Sequence, residues 1–324
     1  MGRGIAKPII VLGMGRSGTT VLFDVLAAHP DLGWFSSHLN RVPWLPSVSL
    51  LSRLADLDPA FRKSKKRSDQ QRPWTEKLRV GPAESYPVWS RCCGEKFVYD
   101  FLLGVEADEA ERRCVRRLVG KVLRYQGRAR FATKITGPAR IGYLSSIFDD
   151  AIFLHVVRDG RAVVQSLINV GFWKDTWRQG EVAWRNGIAE SELERWRELG
   201  SPPLALAAIE WSAVVAGARE EGKRFAPDRY AEVHYEDFVS DPHGVIDEIT
   251  DFCQLPRSPE AHEFLSHRVQ LKDMNYQWAA RFEAEEIEVL NELMGDTLSS
   301  FGYSVDPGPL SLEGPRVRRP CVSR

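Results

Sequence analysis

Residues 8–26, PIIVLGMGRSGTTVLFDVL, limit the fold of this chain more than any other stretch, because they join a short apolar strand to a helix through a turn rich in glycine and hydroxyls. Ile9, Ile10, Val11 and Leu12 form a continuous apolar run that suits a strand covered on both faces, while Val21, Leu22, Val25 and Leu26 recur at helical spacing. Gly13, Gly15 and Gly18 let the backbone curl between the two. Such a turn aims backbone N–H groups at one anion at the positive end of the helix, here the amides from Ser17 to Thr20. The hydroxyls of Ser17, Thr19 and Thr20 add donors, and Arg16 adds a fixed charge with a planar donor fork. A nucleoside-triphosphate loop reads GxxxxGK[ST] and needs a Lys after its last glycine; here Thr19 follows Gly18.

Three further segments have the same strand-then-charge character. Residues 151–157 (AIFLHVV) form an apolar run of strand length, followed by Arg158, Asp159, Gly160 and a helical pattern of Val163, Val164, Leu167 and Ile168. Open α/β sheets bind ligands beyond the carboxyl ends of their strands, which is where Arg158 stands, and Ser166 lies two turns along the next helix. Residues 131–136 (FATKIT) read as a short strand ending in Lys134, with a helix over 138–148 on Ile141, Leu144 and Ile147. Residues 230–235 (YAEVHY), followed by Glu236, Asp237 and Phe238, read as a strand running into a helix start. Near the end, 276–303 holds Trp278 and a helix on Ile287, Leu290, Leu293, Met294 and Leu298, closing on FGY.

These segments resemble one enzyme family. GRSGTT resembles the 5′-phosphosulfate loop of sulfotransferases that use 3′-phosphoadenosine 5′-phosphosulfate (PAPS), and VVRDGRAVVQS resembles the element with which they hold the 3′-phosphate. The block TKITGPARIGYLSSIFDDAIFLHVVRDGRAVVQSL is similar to that of tyrosylprotein sulfotransferases and of bacterial members, and HYEDF resembles the family's YED signature. The resemblance runs from about residue 8 to 303, with a weak gap over 34–130. It implies an α/β fold with a P-loop-like parallel sheet flanked by helices, with helical insertions capping the acceptor side. It implies PAPS as donor and adenosine 3′,5′-bisphosphate as product, the sulfuryl group moving in line to a hydroxyl or amine acceptor. It places Arg16, Ser17, Gly18, Thr19, Thr20 and Lys134 at the phosphosulfate, Arg158 and Ser166 at the 3′-phosphate, and Tyr235 near the adenine. No metal is expected, since Arg16, Lys134, the loop amides and the helix terminus take the part that magnesium plays for triphosphates. Replacing Arg158 or Ser166 is expected to weaken cofactor binding and to leave the fold intact.

The catalytic base departs from two family patterns. Cytosolic relatives carry His two residues after the matching lysine, but that position is Thr136, whose hydroxyl is a poor base. Tyrosylprotein relatives place a Glu shortly after the P-loop helix, whereas here WFSSHLNR follows with no carboxylate. His38 is the one good general base in that stretch, with Asp or Glu from the helical caps as the other source.

The remaining composition bounds the partners. In 324 residues Lys plus Arg equals Asp plus Glu at 44 each, so no global field draws the chain to nucleic acid or to an anionic membrane. Local basic runs occur at Arg62, Lys63, Lys65, Lys66 and Arg67 and at Arg316, Arg318 and Arg319; solvated surface is the default reading, and an acidic acceptor the alternative for the first run. Five cysteines lack CxxC spacing and the seven histidines are scattered, so neither a zinc site nor a disulfide framework is indicated. With no secretory leader pattern and no apolar run of roughly 18 residues, a reduced, cytoplasmic enzyme without a membrane span is expected. The organisation expected is one sulfotransferase domain over 1–305, with helical insertions at about 34–130 and 172–225, and a poorly ordered Pro/Arg-rich tail over 306–324. A helix over 108–125 carries a core stripe of Val115, Leu118, Val119, Val122 and Leu123, and Trp173, Trp177, Trp184 and Trp196 fall in segments read as caps shaping the acceptor pocket. Carbohydrate, lipid, peptide and small-molecule hydroxyls all remain open as acceptors. A P-loop kinase or nucleotide hydrolase, and a non-catalytic domain binding adenosine 3′,5′-bisphosphate, stand as alternatives.

Overall fold

A computed structural model of the chain describes residues 5–57, 79–272, 274–305 and 315–320. Six strands form one sheet in the order β2-β3-β1-β4-β5-β6: β1 Ile9–Gly13, β2 Leu32–Gly33, β3 Arg130–Thr136, β4 Ile152–Val157, β5 Tyr230–His234 and β6 Val317–Arg318. The first five run parallel and β6 is antiparallel to β5. The sheet therefore matches the expected parallel arrangement, with one reversed edge.

The continuous apolar run of β1 is explained by burial on both faces. Ile9 and Val11 join a core with Leu22, Phe23 and Leu26 of helix Thr19–Leu26 and with Val245, Ile246 and Ile249 of helix Pro242–Phe252. Ile10 and Leu12 face a second core with Val115, Val119 and Val122 of helix Glu109–Gln126 and with Ile141 and Leu144 of helix Ile141–Ile147. Helix Glu109–Gln126 starts at a capping box in which Asp108 and Glu111 satisfy each other's backbone amides, and stops at Gly127 with φ 68°. Its stripe is core, as the spacing predicts, with Leu118 half-buried at the margin.

The tryptophans are also core. Trp173 and Trp196 lie in a third apolar cluster with Trp211, built from helices Gly171–Arg178, Glu190–Glu198, Pro203–Phe225 and Ala284–Ser300. Their indole N–H groups are satisfied inside that layer, Trp173 by Glu210 Oε2 at 2.6 Å and Trp196 by the Pro202 carbonyl at 3.0 Å. Trp173 and Trp196 are thus held as buried anchors of the layer, Trp196 also reaching the wall of a cavity beside Thr176 and Arg197, and Trp184 is half-buried, with its ring over Gly137.

Two expectations need correction. Cys92 and Cys114 form a disulfide, with Cα atoms 5.5 Å apart, because helix Tyr86–Cys93 packs on helix Glu109–Gln126. The tail is not wholly apart from the domain either. Glu248 accepts from the amides of Arg316 at 2.8 Å and Val317 at 3.0 Å, and Arg318 pairs with Asp237 at 2.6 Å, which fixes β6 on the sheet edge. The basic run from Arg62 to Arg67 lies outside the described residues. Among the described residues no helix is long and apolar enough to cross a membrane.

Candidate active site

The parallel strands deliver their carboxyl ends to one edge, with β1 between β3 and β4. That junction is where an open α/β sheet leaves a crevice. In register, Val11 pairs with Lys134 and Gly13 with Thr136, so the end of β3 stands beside the turn that leaves β1. Gly13 has φ 152°, and a Cβ there would lie 2.5 Å from the Val156 carbonyl oxygen, so only glycine lets β1 and β4 approach so closely at the turn.

The turn itself is narrower than the sequence reading. The Ser17 amide donates to the Met14 carbonyl at 3.2 Å, which leaves the amides of Gly18, Thr19 and Thr20 at the helix N-terminus for an anion. Ser17 is fully buried, and its hydroxyl has no hydrogen-bond partner among the described residues, an unsatisfied group of the kind a bound anion would satisfy. Arg16 takes φ 74°, an uncommon conformation for a side-chain-bearing residue, and Gly18 takes φ 88°. A Cβ on Gly18 would strike the ring of Tyr235, so the first residue of helix Tyr235–Ser240 is packed directly on the turn.

Cations gather around this turn from distant parts of the chain. Lys134 is 5 % exposed and donates to Thr20 Oγ1 at 2.6 Å. Arg16 donates through Nε to Ser166 Oγ at 2.8 Å, across 150 residues. Arg158 is buried; its Nη1 donates to the Arg16 carbonyl at 2.9 Å, and its guanidinium sits 4.7 Å from the centre of the Tyr235 ring. Its Nε donates to Asn275 Oδ1 at 2.7 Å, and Asn275 in turn donates to Glu236 Oε1 at 2.9 Å. Glu236 also accepts from the Asp159 amide at 3.2 Å and the Tyr303 hydroxyl at 2.9 Å, and burial pushes its carboxyl pKa up to about 7. The YED carboxylate thus anchors the arginine at the end of β4 through a short polar chain.

Arg16, Gly18, Thr19, Thr20, Arg158 and Tyr235 line one cavity of about 500 Å³. A family profile described as "Sulfotransferase family" matches residues 8–259, a span that begins just before β1 and includes the turn, Lys134, Arg158, Ser166 and Tyr235. The chain belongs to the sulfotransferase family. It is 26 % identical over 312 residues to the protein-tyrosine sulfotransferase of Drosophila melanogaster, covering 93 % of this chain and 52 % of that relative, so it spans about half the relative's length. Its fold is similar to that of the sulfotransferase STF9 of Mycobacterium avium, with TM-score 0.58 and 18 % identity over 93 % of this chain and 78 % of the other.

Against this family frame, the predicted residues divide. The turn residues, Lys134, Arg158, Ser166 and Tyr235 are joined by the contacts above. His38 lies half-buried on the short helix Ser37–Arg41, and like Lys134 and Ser166 it is not among the residues lining that cavity. Several polar residues at the site have no role in the sequence reading. Arg268 and Lys272 add two cations to the cavity wall. Asn275 joins Arg158 to Glu236. Glu84 meets Lys134 Nζ at 2.8 Å through Oε1 and Thr136 Oγ1 at 2.9 Å through Oε2. No periodicity marks the stretch 79–85, so only tertiary contact brings Glu84 to β3.

Proposed function

We propose that the chain is a PAPS-dependent sulfotransferase that passes the sulfuryl group in line to a hydroxyl acceptor. The observation that carries this reading is the convergence of the GRSGTT turn, Lys134, Arg158 and Ser166 at one sheet edge in a chain of the sulfotransferase family. PAPS supplies an activated sulfuryl group whose leaving oxygen belongs to the 5′-phosphate. The amides of Gly18, Thr19 and Thr20 and the hydroxyl of Ser17 suit that phosphate, and Lys134 suits the charge that grows on the leaving oxygen. Arg158 and Ser166 suit the 3′-phosphate, with Arg16 bridging the two ends through its hydrogen bond to Ser166, and the Tyr235 ring suits the adenine side. The kinase or hydrolase alternative lacks its lysine, since Thr19 follows Gly18.

Protein tyrosine is named as the acceptor of the Drosophila relative, so a peptide tyrosyl hydroxyl is the first acceptor class to try for this chain. For location, the Cys92–Cys114 bridge favours an oxidising compartment over the cytoplasmic expectation. Incubation with sulfur-labelled PAPS and a set of phenolic, carbohydrate and tyrosyl-peptide acceptors tests the reading. Label transferred to an acceptor is the expected result; a chain that neither binds adenosine 3′,5′-bisphosphate nor moves label would overturn it.

A further inference from the structure

We propose that Glu84 is the general base of the reaction, supplied by a loop that the sheet clamps against the end of β3; this rests on the sulfotransferase reading above. The loop is held at both ends. Upstream, the Ser37 amide donates to the Gly81 carbonyl and the Ala83 amide to the Phe35 carbonyl, both at 2.9 Å, with Ser36 bridged to Pro82. Downstream, the Tyr86 hydroxyl donates to the Thr136 carbonyl and accepts from the Thr136 amide at 3.2 Å. Burial, with the charge of Glu84 second, raises the Tyr86 pKa, so the phenol stays a neutral clamp. Between the clamps Ser85 takes φ 55°, ψ 44°, a costly conformation for a residue with a Cβ, and it turns the chain sharply right after Glu84.

The carboxylate so placed is oriented but not used up. A carboxylate offers about four lone-pair directions, and Glu84 gives one oxygen to Lys134 and the other to Thr136. Its side chain is 27 % exposed against 7 % for Lys134, so the carboxylate is the more solvent-facing member of the pair and can be reached by an acceptor hydroxyl. Lys134 spends two of its three N–H groups on Thr20 and Glu84 and has a third for the leaving oxygen. One ion pair thus carries both ends of the transfer. The acceptor O–H proton passes to a Glu84 oxygen as the acceptor oxygen forms its bond to sulfur. The bond from sulfur to the 5′-phosphate oxygen breaks, and its electron pair stays on adenosine 3′,5′-bisphosphate, facing Lys134, which keeps its own proton.

The test is Glu84→Gln, which keeps shape and removes basicity. General-base catalysis typically contributes ~100- to 10,000-fold, so turnover on a tyrosyl peptide, whose phenol has a pKa of about 10, should fall in that range. With 4-nitrophenol under mildly alkaline conditions the acceptor is already ionised, and the loss should shrink to a few-fold. Calorimetric affinity for adenosine 3′,5′-bisphosphate should be retained or strengthened, since a carboxylate near the anion is removed. Glu84→Asp should recover part of the peptide rate, and it keeps the test alive if the Gln variant melts early. A peptide rate within a few-fold of wild type, an equal loss on both phenols, or a loss that appears in His38→Ala instead would overturn the proposal. A wild-type chain that binds no adenosine 3′,5′-bisphosphate and moves no label would remove the sulfotransferase reading itself, which is a separate failure.

Discussion

Replacing Arg158 should damage both binding and stability, which departs from the expectation that a strand-end arginine can be removed with the fold intact. Arg158 is 8 % exposed and spends two of its five N–H groups inside the protein, on Asn275 Oδ1 and on the Arg16 carbonyl. The remaining donors belong to a guanidinium that lines the cavity. Hydrogen bonds to charged groups are worth about 1.5–3 kcal/mol, and each 1.4 kcal/mol is roughly tenfold, so Arg158→Ala should weaken adenosine 3′,5′-bisphosphate by roughly 10- to 150-fold. Losing the donor to Asn275 and the stacking on Tyr235 should cost a further ~2–4 kcal/mol of folding stability. Arg158→Lys keeps the charge without the fork and should fall between, because one ammonium cannot serve Asn275, the Arg16 carbonyl and an anion in the same geometry. Ser166→Ala supplies the contrast, since Ser166 is only half-buried and should lose affinity alone. Titration calorimetry and urea unfolding measure the two quantities. Unchanged affinity in Arg158→Ala would remove the 3′-phosphate assignment, and unchanged stability would refute the anchoring of Arg158 through Asn275.

Three other outcomes follow from single contacts. Gly18→Ala should abolish adenosine 3′,5′-bisphosphate binding and lower the melting temperature, because φ 88° and the Tyr235 ring both exclude a Cβ; a calorimetric titration matching wild type would contradict this. Burial pushes the Glu210 pKa from 4.5 to about 7, so its contribution to stability is full below the unfolded value near 4.5 and is lost as pH rises through about 7. Relative to Glu210→Gln, wild type should lose about 3 kcal/mol across that window in unfolding experiments, and parallel pH profiles for the two would argue against it. Digestion without reductant should yield a peptide pair linking Cys92 to Cys114, and Cys114→Ser should cost on the order of 3 kcal/mol, as closing a loop of this size implies; free thiols at both positions in protein purified without reductant would remove the bridge.

The sequence was legible where one segment carries its own signal. The apolar run of β1 announces a strand covered on both faces, and the 3.6-residue stripe with Asp108 and Glu111 at its start announces the helix ending at Gln126. The loop cations could be named because each sits at a strand end, the position a parallel sheet gives to ligands. What stayed hidden depends on contacts between distant segments. Arg16 meets Ser166 across 150 residues, and nothing in either segment states that pairing. Glu84 lies in the 34–130 insertion, which the sequence offers as the other source of a carboxylate, but it comes from an aperiodic loop fixed by Phe35, Ser37 and Thr136, so nothing in its own segment singles it out. The disulfide needs two helix faces in register, and β6, two residues long, is specified by Glu248 and Asp237 rather than by its own composition.

On the proposed function, this sheet edge binds the two phosphates of adenosine 3′,5′-bisphosphate. A titration of the wild-type chain with adenosine 3′,5′-bisphosphate, set beside ATP with magnesium, tests it most directly. Saturable one-site binding of the bisphosphate that weakens at least tenfold in Arg158→Ala is expected, with ATP and magnesium binding far more weakly. Equal or tighter binding of ATP with magnesium, or bisphosphate binding untouched by the loss of Arg158, would contradict it.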